Sequence, residues 1–193
     1  RFAGGIATDL ANDIKIEAEG AWNGSALVAS RVEFKRSVIR LQGNVVAAGV
    51  TTFTLNVAGH SVDIETDSFT IGPVPPVGPN CVQVRGQRKT PAAPLTVTAG
   101  EINTSCSNSN RHFIQAPVEA EAPENSITLL GFLLDVSNPT DGFVDVNGQS
   151  ITQGAFFNAV VPATTNEAGI PVPGTLVKVI FDTGTVRQAE LED

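Results

Sequence analysis

IKIEAEGAWNGSALVASRVEF, residues 14–34, alternates apolar and other side chains, turns on Asn23-Gly24, and alternates again. Period-two alternation interrupted by Asn-Gly reads as a β-hairpin with one buried face. The inward set by this pattern is Ile14, Ile16, Leu27, Val32 and Phe34. Two later stretches follow the same plan: VQVRGQRKTPAAPLTVTAGEI (82–102) and VKVIFDTGTVRQAEL (177–191). A longer segment precedes each of those two. The first is VIRLQGNVVAAGVTTFTLNVAGHSVDI (38–64) and the second HFIQAPVEAEAPENSITLLGFLLDV (112–136). Gln42 matches Gln115, Phe53-Thr54-Leu55 matches Ile127-Thr128-Leu129, and Val62-Asp63-Ile64 matches Leu134-Asp135-Val136. Each longer segment gives three strands, a long one followed by a tight hairpin about Gly59 or Gly131.

Three strands plus the hairpin that follows make five, enough for a small closed barrel. The predicted fold is therefore all-β: tandem five-stranded OB-like barrels, with an additional N-terminal hairpin and one short helix. Residues 1–36 form the incomplete repeat, 37–106 the first barrel and 107–193 the second. The connector GPVPPVGP (72–79) is extended, since its prolines exclude a helix. In SITQGAFFNAVVPA (150–163) an amphipathic helix is expected over 155–161, stopped by Pro162. FAGGIATDLAND (2–13) reads as the tail of a similar connector. The first hairpin has no obvious partner before it. A lone hairpin is marginal in water, so completion by another subunit or by the neighbouring barrel is expected.

Composition narrows the function. The 193 residues carry a net charge of −8, with only 12 Lys and Arg and no basic stripe, which argues against nucleic acid as a partner. The densest basic cluster, Arg85-Gly86-Gln87-Arg88-Lys89, reads as a solvated turn. No apolar run reaches the roughly 20 residues of a transmembrane helix. The chain opens RFAGG without Met, which reads as a processed or truncated product.

Cys81 and Cys106 flank the second hairpin, and antiparallel pairing brings those two ends together as a disulfide requires; two buried free thiols are the alternative. A disulfide points to an oxidising place: extracellular, cell surface or periplasm.

Chemistry is sparse. His60 and His112 lack the H-x-x-H or H-x-E spacing of a metal site and read as strand-end histidines. Ser25 and Ser61 fall in turns rather than in a G-x-S-x-G elbow. Asp141, Asp145 and Asn147 hint at calcium, but Phe156 stands where a bidentate Glu is wanted, so an Asn-Gly turn is the better reading. Glu17 with Glu19, and Glu119 with Glu121, alternate outward to solvent. No catalytic residue, cofactor or metal is expected. The sequons at Asn23 and Asn103 bear on function only in a host that glycosylates asparagine.

The phrases EAEGAWNGSALVASRVEF (17–34), GFLLDV (131–136), SITQGAFFNAV (150–160) and AELED (189–193) resemble a family of uncharacterised bacterial secreted proteins. These are tandem repeats of a small β-rich domain. The resemblance implies small-barrel repeats in a cell-envelope or extracellular setting, and it supplies no catalytic residues. The chain departs from the pattern in lacking a first triple before Ile14, in the insert 162–174, and in its cysteine pair.

Two functions compete on this reading. One is a non-enzymatic structural protein that assembles head to tail with copies of itself through the orphan hairpin, since an exposed strand edge is a template for strand addition. The other is a secreted module binding carbohydrate or protein on a barrel face.

Overall fold

The structure is a computed structural model that describes residues 1–3, 16–34, 38–88, 95–106, 110–167 and 171–192. The N-terminal strands are β1 (Phe2–Ala3), β2 (Ile16–Trp22) and β3 (Leu27–Phe34). They are followed by β4 (Ile39–Ala48), β5 (Thr52–Val57), β6 (His60–Glu65), β7 (Gly78–Arg88) and β8 (Thr96–Asn103). Then come β9 (Arg111–Ala122), β10 (Ser126–Leu129), β11 (Phe132–Asp135), β12 (Phe143–Val144) and β13 (Ser150–Ile151). The chain ends with α1 (Gln153–Ala159), β14 (Thr164–Thr165), β15 (Pro171–Val172), β16 (Leu176–Asp182) and β17 (Thr185–Leu191).

Strands β4 to β8 close a barrel in the order β4-β5-β6-β8-β7 and back to β4, with β6 and β8 parallel and the other pairs antiparallel. Alternation makes the core: Phe53, Leu55 and Val57 of β5 are buried, as are Val62 and Ile64 of β6. The turn between these strands is a two-residue Ala58-Gly59 turn with φ of 53° and 94°. Positive φ at both central residues matches the twist of the flanking strands. The same device recurs at Leu130-Gly131 and Thr183-Gly184.

The remaining strands extend this sheet. β9 pairs with β16, β16 with β17, and β9 with β10. A second closed barrel, as expected from the sequence, is not among the described pairings. β11 pairs with β10 alone, and the parallel place beside β17 is held by β12, in the stretch 141–150 where alternation signals no strand. Residues 136–142 separate β11 from β12, so the third strand of this set is split. α1 and its neighbours fill the end of the set: Phe156 meets Phe143 at 4.8 Å between ring centroids and Phe157 at 5.5 Å. The helix starts two residues earlier than expected because the Thr152 hydroxyl accepts the Ala155 amide at 3.2 Å. Part of the insert 162–174 forms the β14–β15 pair, which alternation did not signal.

β4 and β9 join the two sets. Arg40 pairs with Gln115, Leu41 with Ile114 and Gln42 with Phe113. Along this seam buried Gln42 donates to the Arg111 carbonyl and accepts from Gln83 Nε2 at 2.6 Å. Nearby, His60 stacks on Phe132 at 4.7 Å, and Arg88 binds Glu119 at 2.6 Å.

The N-terminal strands make a separate three-stranded sheet, order β1-β3-β2. β1 lies parallel to β3, with Phe2 opposite Val32 and Ala3 opposite Glu33. A partner thus does precede the hairpin, where the sequence showed none, because two residues carry no period to read.

Candidate functional site

The strongest candidate surface is the N-terminal sheet. In β2 and β3 the register runs Ala18 with Val32, then Glu19 with Arg31, then Gly20 with Ala29, and Trp22 with Leu27. Ser30 is therefore a bulge residue without an opposite number, and the inward parity of β3 changes across it. That change puts Val32 and Leu27 on one face although they stand an odd number of residues apart. Ile16, Ala18 and Trp22 of β2 share this apolar face, while Glu17, Glu19 and Arg31 take the other, where Glu19 and Arg31 pair at 3.6 Å. Phe34 lies opposite Ile16 in the register, and Ile14 falls outside the described residues. Asn23 holds the turn by accepting the amides of Ser25 and Ala26 at 3.1 and 3.0 Å.

The apolar face stands in water. Ile16 is 41% exposed, Leu27 46% and Trp22 68%. None of these residues belongs to the hydrophobic core cluster. Full burial of such side chains is worth roughly 1.5–3 kcal/mol each, so part of that stabilisation, the largest share at Trp22, is left unused among the described residues.

The cysteines are joined, with 5.7 Å between their Cα atoms, tying the start of β7 to the residues beyond β8. Arg85 and Arg88 are strand residues rather than turn residues; Arg85 pairs with Glu101 at 3.6 Å. Lys89 falls outside the described residues. Ser61 likewise sits in β6 and not in a turn. Glu119 and Glu121 do not stand out in solvent as expected. Both are half-buried; Glu119 binds Arg88 of the first barrel and also accepts the Gly131 amide at 2.8 Å.

The Asp145 carboxylate is occupied by its own turn, accepting the amides of Gln149 at 2.8 Å and Asn147 at 2.9 Å. The Gln149 amide and then that of Asn147 hold this carboxyl below its ordinary range, as the Ser137 hydroxyl and amide do for Asp135. Asp141 binds Arg187 instead of facing Asp145. An open depression of about 480 Å³ lies beside β5 and β6, lined by Ala47, Gly49, Thr54, Asp63 and Glu65 among others. Its one aromatic, Phe53, is buried in the core, so it offers no stacking platform for a sugar.

His112 Nδ1 accepts the Ala58 amide at 2.8 Å, so this imidazole must be neutral at that nitrogen. Burial pushes the pKa of both His60 and His112 below the ordinary 6.5. The unfolded chain therefore takes up protons first as pH falls. The contribution is complete above about pH 6.5 and is lost as pH falls toward the folded values. His112→Phe keeps a ring but removes the acceptor, and should cost about 1 kcal/mol at pH 7.5. Thermal melts from pH 7.5 to 5 should decline more shallowly in the variant; parallel curves would refute this role. The aspartates act in a lower window, below the unfolded value near 3.8.

Among the described residues no helix is long and apolar enough to cross a membrane. No protein-family model, no curated protein and no solved structure matches the chain.

Proposed function

We propose that the protein is a non-enzymatic structural module of an extracellular or cell-envelope assembly, joined head to tail to further units of its own kind through the N-terminal sheet. The observation that carries this reading is the apolar face of β2 and β3, exposed on a sheet with no neighbour beyond β2 among the described residues. Such an edge recruits strands, and repeating one contact head to tail yields a ring or a filament. The disulfide supports an oxidising setting: outside the cell, at its surface or in the periplasm. The resemblance to secreted bacterial repeat proteins points the same way.

We also read the strands after β8 as a divergent copy of the first barrel, and the barrels as OB-like. The shared Gln42 and Gln115, the matching two-residue turns and the strand order around β4 and β9 support that reading.

The test is light scattering of the native protein against the double variant Ile16→Lys, Leu27→Lys. Both side chains are exposed in the single chain, so its fold should survive. The parent is expected to form species well above 20.1 kDa and the variant to remain a monomer. A parent that stays monomeric at every concentration sinks the proposal.

A further inference from the structure

We infer that β2 is the receiving edge of an unfinished barrel, and that it takes an antiparallel strand reading apolar–Gln–small–x–Val from a three-stranded segment of the β4-to-β6 kind. This rests on the reading of the N-terminal sheet as a joint, and names what fills it.

The backbone registers carry the inference. The bulge at Ser30 has counterparts in the other two hairpins. There the register passes from Arg85–Glu101 to Gly86–Ala99, skipping Gly100, and from Ile180–Gln188 to Phe181–Val186, skipping Arg187. Gly20 and Gly86 hold the same place, and a Cβ on either would fall 2.1 or 2.4 Å from the opposite carbonyl oxygen, of Val28 or Thr98. With the bulges aligned, Val32 matches Ile102 and Ala189. Each of these three amides donates to a carbonyl in a parallel neighbour: Val32 to Arg1 at 2.8 Å, Ile102 to Ile71 at 2.8 Å and Ala189 to Gly142 at 3.3 Å. The N-terminal sheet thus repeats, in the same order, a parallel neighbour (β1, as the Ile71 bridge and β12), the fifth strand and the fourth strand of the fuller sets.

In both fuller sets the fourth strand has a first strand on its other edge. Leu41, Gln42 and Gly43 lie opposite Val84, Gln83 and Val82. Ile114, Gln115 and Ala116 lie opposite Val179, Lys178 and Val177. These positions correspond to Ala18, Glu17 and Ile16. An incoming strand therefore sets its apolar residue against Ala18, its Gln against Glu17 and its small residue against Ile16, with a valine two residues on, as at Val45 and Val118. Where that strand is present Val82 and Val177 are fully buried, whereas Ile16 is 41% exposed. Val97, the counterpart of Leu27, is fully buried too.

A folded copy supplies such a strand only by releasing it from its own pairing, an exchange of one element between protomers. At Leu41 and Gln42 β4 is paired on both edges, by β7 and β9, and at Ile114 and Gln115 β9 is paired by β16 and β4. The occupant is a segment that the adjoining unit presents unpaired.

The equivalence of Arg1 and Ile71 sets the experiment: residues 38–70 of this chain are fused directly ahead of Arg1 in the full-length protein. Hydrogen exchange in the segment 16–22 should slow by about tenfold or more, and Trp22, the sole tryptophan, should become harder to quench with acrylamide. Leu41→Lys in the added segment alone should return both readouts to those of the parent. Unchanged exchange in the fusion, or protection that survives Leu41→Lys, overturns the inference. If the fusion is protected and the parent is a strict monomer, the self-assembly reading falls and the register stands. If the parent assembles while 16–22 stays unprotected in the fusion, the joint stands and this occupant falls.

Discussion

Truncation of Phe156 to alanine is expected to cost about 3–5 kcal/mol of stability, the range for removing a buried phenylalanine. Phe156 is fully buried and the largest such side chain among the described residues. It packs on Phe143 and Phe157, the three rings closing the end of the β9–β17 set where the third strand is interrupted. A helix of seven residues has little stability of its own, so α1 stays in place through these contacts. At roughly 2–4 °C per kcal/mol for a chain of this size, the melting temperature should drop by about 6 °C or more. Urea unfolding followed by circular dichroism measures it. A loss under about 1 kcal/mol would mean the site collapses around the gap, and that α1 is not the plug described.

Removal of the disulfide by Cys81→Ala with Cys106→Ala is expected to cost about 3 kcal/mol, from the restored freedom of the unfolded chain across the loop it closes. The bond spans 25 residues, including the segment between β7 and β8. Cys81 is buried opposite Asn44 of β4, so its loss also loosens the place where β4 is held between β7 and β5. Melts of parent and variant, with and without reductant, decide the matter. Reductant should lower the parent to the level of the variant and leave the variant unmoved.

The elements readable in the sequence were those long enough to show a period. β5 and β6 alternate cleanly, and their turn carries a glycine where φ must be positive, so strands and turn could be placed together. The cysteine pairing followed from the antiparallel hairpin, and the structure joins the pair. β1, β12 and β14 have two residues each, and two residues cannot display alternation. The missed β12 is the reason a second closed barrel was expected where the third strand is split. Partner choice was also hidden. Alternation tells which face of β4 is buried, but nothing in it says that its N-terminal half takes β9 as a second neighbour. At the candidate site Ile16, Leu27 and Val32 of the expected set share a face by register, odd spacing included, while Ile14 lies outside the described residues and Trp22 was not in the set. The cause of that spacing, a bulge at Ser30, needed the register to be seen.

A module that joins its neighbours end to end would carry tension through its backbone, and the cystine limits how far it can yield. Residues 81 and 106 cannot separate when the barrel is pulled apart, so the intervening stretch stays out of the load path. Fully drawn out, 25 residues would add about 85 Å of length. In the oxidised protein that length is withheld, and β7 and β8 remain tethered as a pair while the strands around them slide. Reduction would release it in one step, making the bond a stop on the extensibility of any fibre built from such units.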